Sequence, residues 1–217
     1  MVRLFIIGAG RHAVEIYSYI QDLKQDGQRI KLIGLIDEKK SSGSWEDSEI
    51  LGDFSILKKI LNRYRKTKFY YITAVGDNRL RKSFVEKINS FKVKNLFAFS
   101  VIHPSVIIGR NVKIGQGCCI APGCILTTHI NIGNHCIINV NSSISHDCNL
   151  EDFVNINPSV VICGNVNIKE GAFIGAGATI INRINIGSWA TVGAGAVVIK
   201  DIKDNLTVAG VPAQKIN

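Results

Sequence analysis

A branched aliphatic residue recurs every six positions along the second half of the chain. The series runs Ile102, Ile108, Ile114, Ile120, Leu126, Ile132, Ile138, Ile144, Leu150, Ile156, Ile162, Ile168, Ile174, Ile180, Ile186, Val192 and Val198. A helix would repeat near 3.6 residues and a half-buried strand every two, so neither explains a period of six. With the aliphatic residue as the first of each hexad, the fifth is small or short, as at Cys118, Cys124, Cys136, Ser142, Cys148, Ala172 and Ala178. The fourth is rich in Gly, Asn and Asp, as at Asn111, Gly117, Asn141, Asp147, Gly171 and Asp201. These types tolerate the positive φ that a tight corner requires. Each hexad therefore predicts one short strand and one corner. Three hexads close a triangular coil, and the aliphatic residues stack along its axis. The result is a parallel β-helix of roughly five to six coils. The crossover rule by itself favours a right-handed connection.

The first hundred residues alternate differently. VRLFIIG (2–8) is an apolar strand that runs into GAGRHAVEIYSYIQDLK, a glycine-rich turn opening a helix. IKLIGLID (30–37) reads as a second strand ending at Asp37. Residues 38–50 are polar and show no clear element. Residues 54–65 look helical. KFYYITAV (68–75) is a third strand, followed by Gly76-Asp77-Asn78 and a helix to about Asn89. This is a small, Rossmann-like α/β unit with a parallel sheet. The expected division is residues 1–97 and 98–217.

Composition narrows the function. The chain has 217 residues, 46% of them hydrophobic and 20% charged, which excludes wholesale disorder. No run of 18 apolar residues exists, so no membrane span is expected. The N-terminus lacks a secretory pattern. A cytoplasmic protein with reduced cysteines is the default expectation. Cys118, Cys124, Cys136 and Cys148 fall at the inward fifth position and read as core packing. The net charge of +9 divides unevenly: residues 1–101 carry +8 and residues 102–217 carry +1. A basic first half suits an anionic partner. A nucleotide or phosphate ligand needs less charge than nucleic acid, and a solvated lysine-rich surface is the plain alternative.

Gly8 and Gly10 sit where the first strand meets the helix, where backbone N–H groups suit a phosphate. The third glycine of the dinucleotide fingerprint is absent, and a tight turn without ligand has the same sequence. Asp37 ends the second strand, where it can accept from a ribose or base, or cap a loop. His12, in the first helical turn, can meet a phosphate or a sugar. His103 precedes Pro104 and reads as structural. His146 and Asp147 occupy the third and fourth hexad positions, an outward corner. An imidazole with an ordinary pKa of about 6.5 can accept a proton near neutral pH, and a neighbouring carboxylate can hold its tautomer. His129 and His135 are fourth-position residues, expected at the surface or an interface. No metal site is expected, because no further acid or Cys ligand has suitable spacing. An isolated coil should leave corner residues such as Ile130, Ile184 and Trp189 exposed.

Certain segments carry a resemblance. They are Gly8-Ala9-Gly10-Arg11-His12-Ala13, Ile36-Asp37-Glu38, Ala74-Val75-Gly76-Asp77-Asn78, His103-Pro104-Ser105, Ser145-His146-Asp147-Cys148 and the ending Ala209-Gly210-Val211-Pro212-Ala213. With them the chain resembles the bacterial hexapeptide-repeat sugar acyltransferases related to sialic acid O-acetyltransferase. It looks most like the N-acetyltransferases of nucleotide-linked 4-amino-4,6-dideoxy sugars. The resemblance implies a left-handed β-helix and a homotrimer with active sites between subunits. It implies acetyl transfer from acetyl-CoA to the C4 amine of a UDP- or dTDP-linked sugar, in the making of a bacterial surface glycan. His146 is then the general base and Asp147 its orienting acid. The nucleotide sugar falls on the first domain, at Gly8, Gly10, Arg11, His12, Asp37, Gly76 and Asn78. Acetyl-CoA falls along the coil near Gly164, Ala176 and Ala194, with Lys200 among the few coil cations for its phosphates. Many members carry a second His nine residues after the base. Here that position is Asn155, which can donate a hydrogen bond but cannot act as a base. O-acetylation of a free sugar such as sialic acid is the alternative activity.

Overall fold

A computed structural model describes residues 1–216. Contacts divide the chain into two compact units, Met1–Val101 and a second beginning at Ile102. In the first unit the strands are β1 (Val2–Ile7), β2 (Ile30–Ile36), β3 (Gly43–Trp45), β4 (Ser48–Gly52), β5 (Phe69–Thr73) and β6 (Leu96–Ala98). The helices are α1 (Arg11–Gln25), α2 (Phe54–Arg63) and α3 (Asn78–Asn89). The sheet order is β3-β4-β2-β1-β5-β6. Central β1 is apolar apart from Arg3, and Leu4, Phe5, Ile6 and Ile7 are fully buried. That is the expected pattern for a parallel strand covered on both faces. α1 buries Ala13, Ile16, Ile20 and Leu23, an i, i+3, i+4 stripe.

Two features depart from the expected three-stranded parallel sheet. Residues 38–50 contain a strand and the start of another. β3 and β4 form an antiparallel hairpin, with Glu46 at φ 45° in its turn. β4 then pairs parallel with β2, and Ile50 fills the core there. The missed β6 extends the other edge, pairing parallel with β5. Both are short edge elements whose pairing depends on long-range contacts that a local pattern does not carry.

α2 is capped by Asp53, whose carboxylate accepts from the N–H of Ser55 (2.9 Å) and Ile56 (3.3 Å). The Ser55 hydroxyl, foremost, and these N–H groups hold the Asp53 carboxyl below the usual carboxylate range. A lowered folded pKa means stability that is complete above the unfolded carboxylate pKa of about 3.9 and is lost as pH falls through the folded value. We expect wild type to lose more melting temperature than Asp53→Asn below that pH. Parallel melting curves for the two proteins would contradict the cap assignment.

The second unit is a left-handed parallel β-helix. Its strands are two residues long and pair with strands 18 residues away, for example Ile120↔Ile138, Ile138↔Ile156, Ile156↔Ile174 and Ile174↔Val192. From Ile120 to Val198 the first-position aliphatics are buried. Ile108, on the first coil, remains 44% exposed. Every fourth-position residue from Asn111 to Gly195 has positive φ, including His129, His135, Phe153, Arg183 and Trp189. Asp201 does not. The last coil is two residues shorter, with Ile202 bridged to Ile186, and the positive φ passes to Asn205. The Asp201 carboxylate instead accepts from the Asn185 backbone N–H at 2.8 Å.

The four inward cysteines are buried, and each Sγ donates to a carbonyl 15 residues on. Cys118 reaches Gly133, Cys124 reaches Asn139, Cys136 reaches Glu151 and Cys148 reaches Cys163, all at 3.1 Å. Ser142 does the same to Asn157 at 2.9 Å. Ile130 and Ile184, expected outside, are buried, because they occupy the inward fifth position. His135 is likewise buried, stacked on Phe153 with ring centroids 5.3 Å apart. The exposed aliphatics of this unit include Ile107, Ile125 and Val161, which lie on one sheet of the prism.

Candidate active site

His146 stands on the corner that follows the strand Ser143–Ile144. Asp147 next to it takes the positive φ of that corner (57°). This turns its carboxylate back toward the ring, and His146 Nδ1 lies 2.8 Å from Asp147 Oδ2. With a carboxylate as acceptor, Nδ1 carries the proton and Nε2 presents its lone pair. Both side chains are more than half exposed within the single chain.

One coil further along the same corner, Gly164 lies against the imidazole. A Cβ built on Gly164 would come within 2.6 Å of both Cε1 and Nε2 of His146. The ring therefore occupies the space that any larger residue at 164 would fill. Lys200 is exposed on this same corner, three coils from His146. At about 4.8 Å per strand spacing, that is roughly 14 Å along the axis.

Cys148 follows at the inward position, and burial, reinforced by Asp147 and Cys163, pushes its thiol pKa up. It is not a nucleophile in this setting. Ala176 and Ala194 stack on a different corner, both exposed, with Gly195 N donating to Ala176 O at 2.8 Å. Asn155 is only 4% exposed, on the strand Asn155–Ile156 between Ile137 and Phe173. Within one chain the structure brings Gly164 to His146, places Lys200 on their corner, and leaves Asn155, Ala176 and Ala194 on other parts of the prism.

The first unit carries a cleft of about 660 Å³ at the carboxyl ends of β1, β2 and β5. That is where ligands bind in open α/β sheets. Gly8, Gly10, Arg11, His12, Asp37 and Gly76 all line it. Asn78 does not line it and is buried as the first residue of α3. Gly8 is required by the fold, since its φ is 101° and a Cβ would sit 3.0 Å from the Ala74 carbonyl. Gly10 and Gly76 are different: neither has positive φ, and a Cβ on either meets nothing within 4 Å. Their missing side chains leave room in the cleft rather than in the core.

α1 begins there with Gly10 at its N-cap, no capping side chain and no acid in its first turn. A helix start of this kind favours an anion. His12 Nδ1 is 2.8 Å from Glu15, while its Nε2 is buried without a protein partner. Asp37 accepts from the N–H of Ala9 (2.7 Å), Lys39 (2.8 Å) and Lys40 (3.0 Å). Its carboxylate thus ties the glycine turn to the loop after β2. Four lining residues that sequence reading missed come from α3: Leu80, Ser83, Phe84 and Lys87. Their i, i+3, i+4, i+7 spacing was the available signal. Arg81, fully buried behind them, donates to the Val75 carbonyl at 2.9 Å and braces the turn before α3.

Among the described residues, no group of three or more His, Cys, Asp or Glu is arranged to hold a metal ion, and no helix is long and apolar enough to cross a membrane.

Residues 3–88 match the PglD N-terminal domain family. No curated protein sequence matches the chain. Among solved structures, perosamine N-acetyltransferase from Caulobacter crescentus, crystallised as a His-to-Asn variant with CoA and GDP-perosamine, is 28% identical with a TM-score of 0.88. The match covers 100% of this chain and 98% of that one. The acetyltransferase domain of PglB from Neisseria gonorrhoeae, in complex with acetyl coenzyme A, is 28% identical with a TM-score of 0.82, over 99% and 98% of the two chains. WeeI from Acinetobacter baumannii shares the fold over both whole chains, with a TM-score of 0.82 at 24% identity. The chain is thus similar to the PglD N-terminal domain family over its first unit, and over its whole length to perosamine N-acetyltransferase and the acetyltransferase domain of PglB.

Proposed function

We propose that this protein is an acetyl-CoA-dependent N-acetyltransferase of a nucleotide-linked amino sugar. The C4 amine of a 4-amino-4,6-dideoxyhexose is the acceptor. The observation that carries the reading is the His146–Asp147 pair, with Nδ1 engaged at 2.8 Å and Nε2 open. The amine nitrogen attacks the thioester carbonyl carbon while His146 Nε2 takes the amine proton. The tetrahedral intermediate then collapses, the C–S bond breaks, and the proton returns to the departing CoA sulfur. Asp147 fixes the tautomer and stabilises the imidazolium.

The nucleotide diphosphate lies in the first-unit cleft, on the α1 N-terminus and His12 Nε2, beside Gly10 and Gly76. Arg11 and Asp37 border it, and Asn78 acts from behind as part of the α3 start. CoA runs along the coil past Gly164, Ala176 and Ala194, with Lys200 for its phosphates and Asn155 contributed toward the thioester. The working form is a cytoplasmic homotrimer, with active sites between subunits. The exposed Ile107, Ile125 and Val161 on one sheet supply an apolar face for that assembly.

A thermal-shift panel of UDP-, dTDP- and GDP-linked amino sugars, each with CoA, tests the reading. One nucleotide should raise the melting temperature by mass action and be acetylated at the amine. No acetyl transfer to any of them would sink it. Light scattering should give three chains per particle, and a stable, active monomer would remove the shared-site arrangement. Gly10→Ala should raise KM for the sugar nucleotide at least about tenfold, the effect of one methyl in a filled pocket, with KM for acetyl-CoA unchanged. An unchanged sugar-nucleotide KM would place the ligand elsewhere.

A further inference from the structure

The charge of the first unit is concentrated in its second half. Residues 1–53 carry a net −2 and residues 54–101 a net +10, with no Asp or Glu in 54–76 or 87–101. α2 exposes Lys58, Lys59 and Arg63, and the connection to β5 exposes Arg65, Lys66 and Lys68. The fold brings a second segment to them. Asn95 Nδ2 donates to the carbonyls of Leu61 and Tyr64 at 3.1 Å, and Phe69 N donates to Asn95 O at 2.8 Å. Lys92 and Lys94 join the cluster through these bonds. None of the eight cations has a carboxylate partner among the described residues. This edge holds the starts of β5 and β6, whereas the nucleotide cleft lies where the strands end.

Two rings stand out from the same surface, Tyr64 at 47% and Phe97 at 40% exposure. Each has a cation over its face: Arg63 lies 5.5 Å from the Tyr64 centroid and Lys68 lies 6.0 Å from that of Phe97. A nucleic-acid surface needs open ring faces on which bases stack. Here a cation already stands over one face of each ring, and rings and cations are presented together. That combination matches an interfacial layer of phosphates above hydrocarbon.

We propose that this edge docks the protein on an anionic phospholipid surface, a role that goes beyond acetyl transfer and does not depend on it. Co-sedimentation of the full chain with phosphatidylcholine vesicles, with and without phosphatidylglycerol, tests it. Binding should require the anionic lipid and fall steeply with salt. Lys66→Gln/Lys92→Gln/Lys94→Gln should lower the partition coefficient about 10²-fold, at about fivefold per charge, with wild-type melting temperature and acetylation rate. Lys58→Gln/Lys59→Gln, on the helix, provides a second, independent variant. Failure of wild type to bind phosphatidylglycerol vesicles would overturn the proposal. So would equal binding by both folded variants, or tighter binding of wild type to a single-stranded RNA oligonucleotide than to the vesicles.

Discussion

His146→Ala is expected to lower kcat by about 10²–10⁴-fold, the contribution of a positioned general base. The KM values should change little, because the imidazole acts on the proton being transferred and not on the ground-state grip of either substrate. Stability should stay close to wild type. The ring is 58% exposed, fills no core space, lies against Gly164 and is hydrogen-bonded to Asp147. Exposed substitutions of this kind usually fall within about 0.5 kcal/mol. Asp147→Asn should cost less, since Asn tolerates the corner's positive φ and still offers an acceptor, but no longer stabilises an imidazolium. Unchanged kcat in a folded His146→Ala protein would remove His146 from the chemistry.

Gly164→Ala is expected to lower kcat by up to about 10²-fold, the penalty of displacing a reacting group by about 1 Å. The added Cβ would lie 2.6 Å from two ring atoms of His146. The obstruction is the far end of a side chain, so the imidazole swings aside and the fold survives. The backbone of Gly164 has no positive φ, so alanine adds no strain of its own. The diagnostic result is a large loss of kcat with an unchanged melting temperature. A second signature follows from geometry: in the His146→Ala background the same change should have a much smaller further effect, because the displaced ring is gone and only the passing cosubstrate remains to be disturbed. Equal losses in both backgrounds would make 164 a cosubstrate contact and not a support for the base.

The period of six made the coil legible because every residue of that unit answers to one repeated constraint. An aliphatic residue fills the axis, a small one the corner interior, and a left-handed residue the bend. The corner at Phe153 or Trp189 is no less left-handed for lacking glycine, so position predicts φ there better than residue type does. Asp201 shows the limit: a two-residue shortening at the end of the coil moved its role from bend to hydrogen-bond acceptor. Ile130 and Ile184 face inward despite their size, because the fifth hexad position fixes direction whatever the residue volume.

The candidate site was legible where chemistry is local. His146 and Asp147 are adjacent, and the Gly8–Gly10 turn lies between a strand and a helix. It was not legible where packing across 18 residues decides, as with Gly164 beneath the ring, or where a helix face turns toward a cleft, as with Leu80, Phe84 and Lys87. The hairpin of β3 and β4 was hidden because its strands are short and mostly half-buried or exposed, with Ile50 their one deeply buried residue.

The 18-residue register sets a scale of its own. Position along the prism comes in whole rungs of about 4.8 Å, and position around it in thirds of a turn. An insertion of 18 residues between His146 and Lys200 would lengthen their separation by one rung and keep both on one corner. An insertion of six would carry Lys200 round to the next corner and leave the rise almost unaltered. Length and azimuth are therefore separate settings of the same chain, so the reach from His146 to Lys200 can be reset by whole coils without disturbing the direction in which either side chain faces.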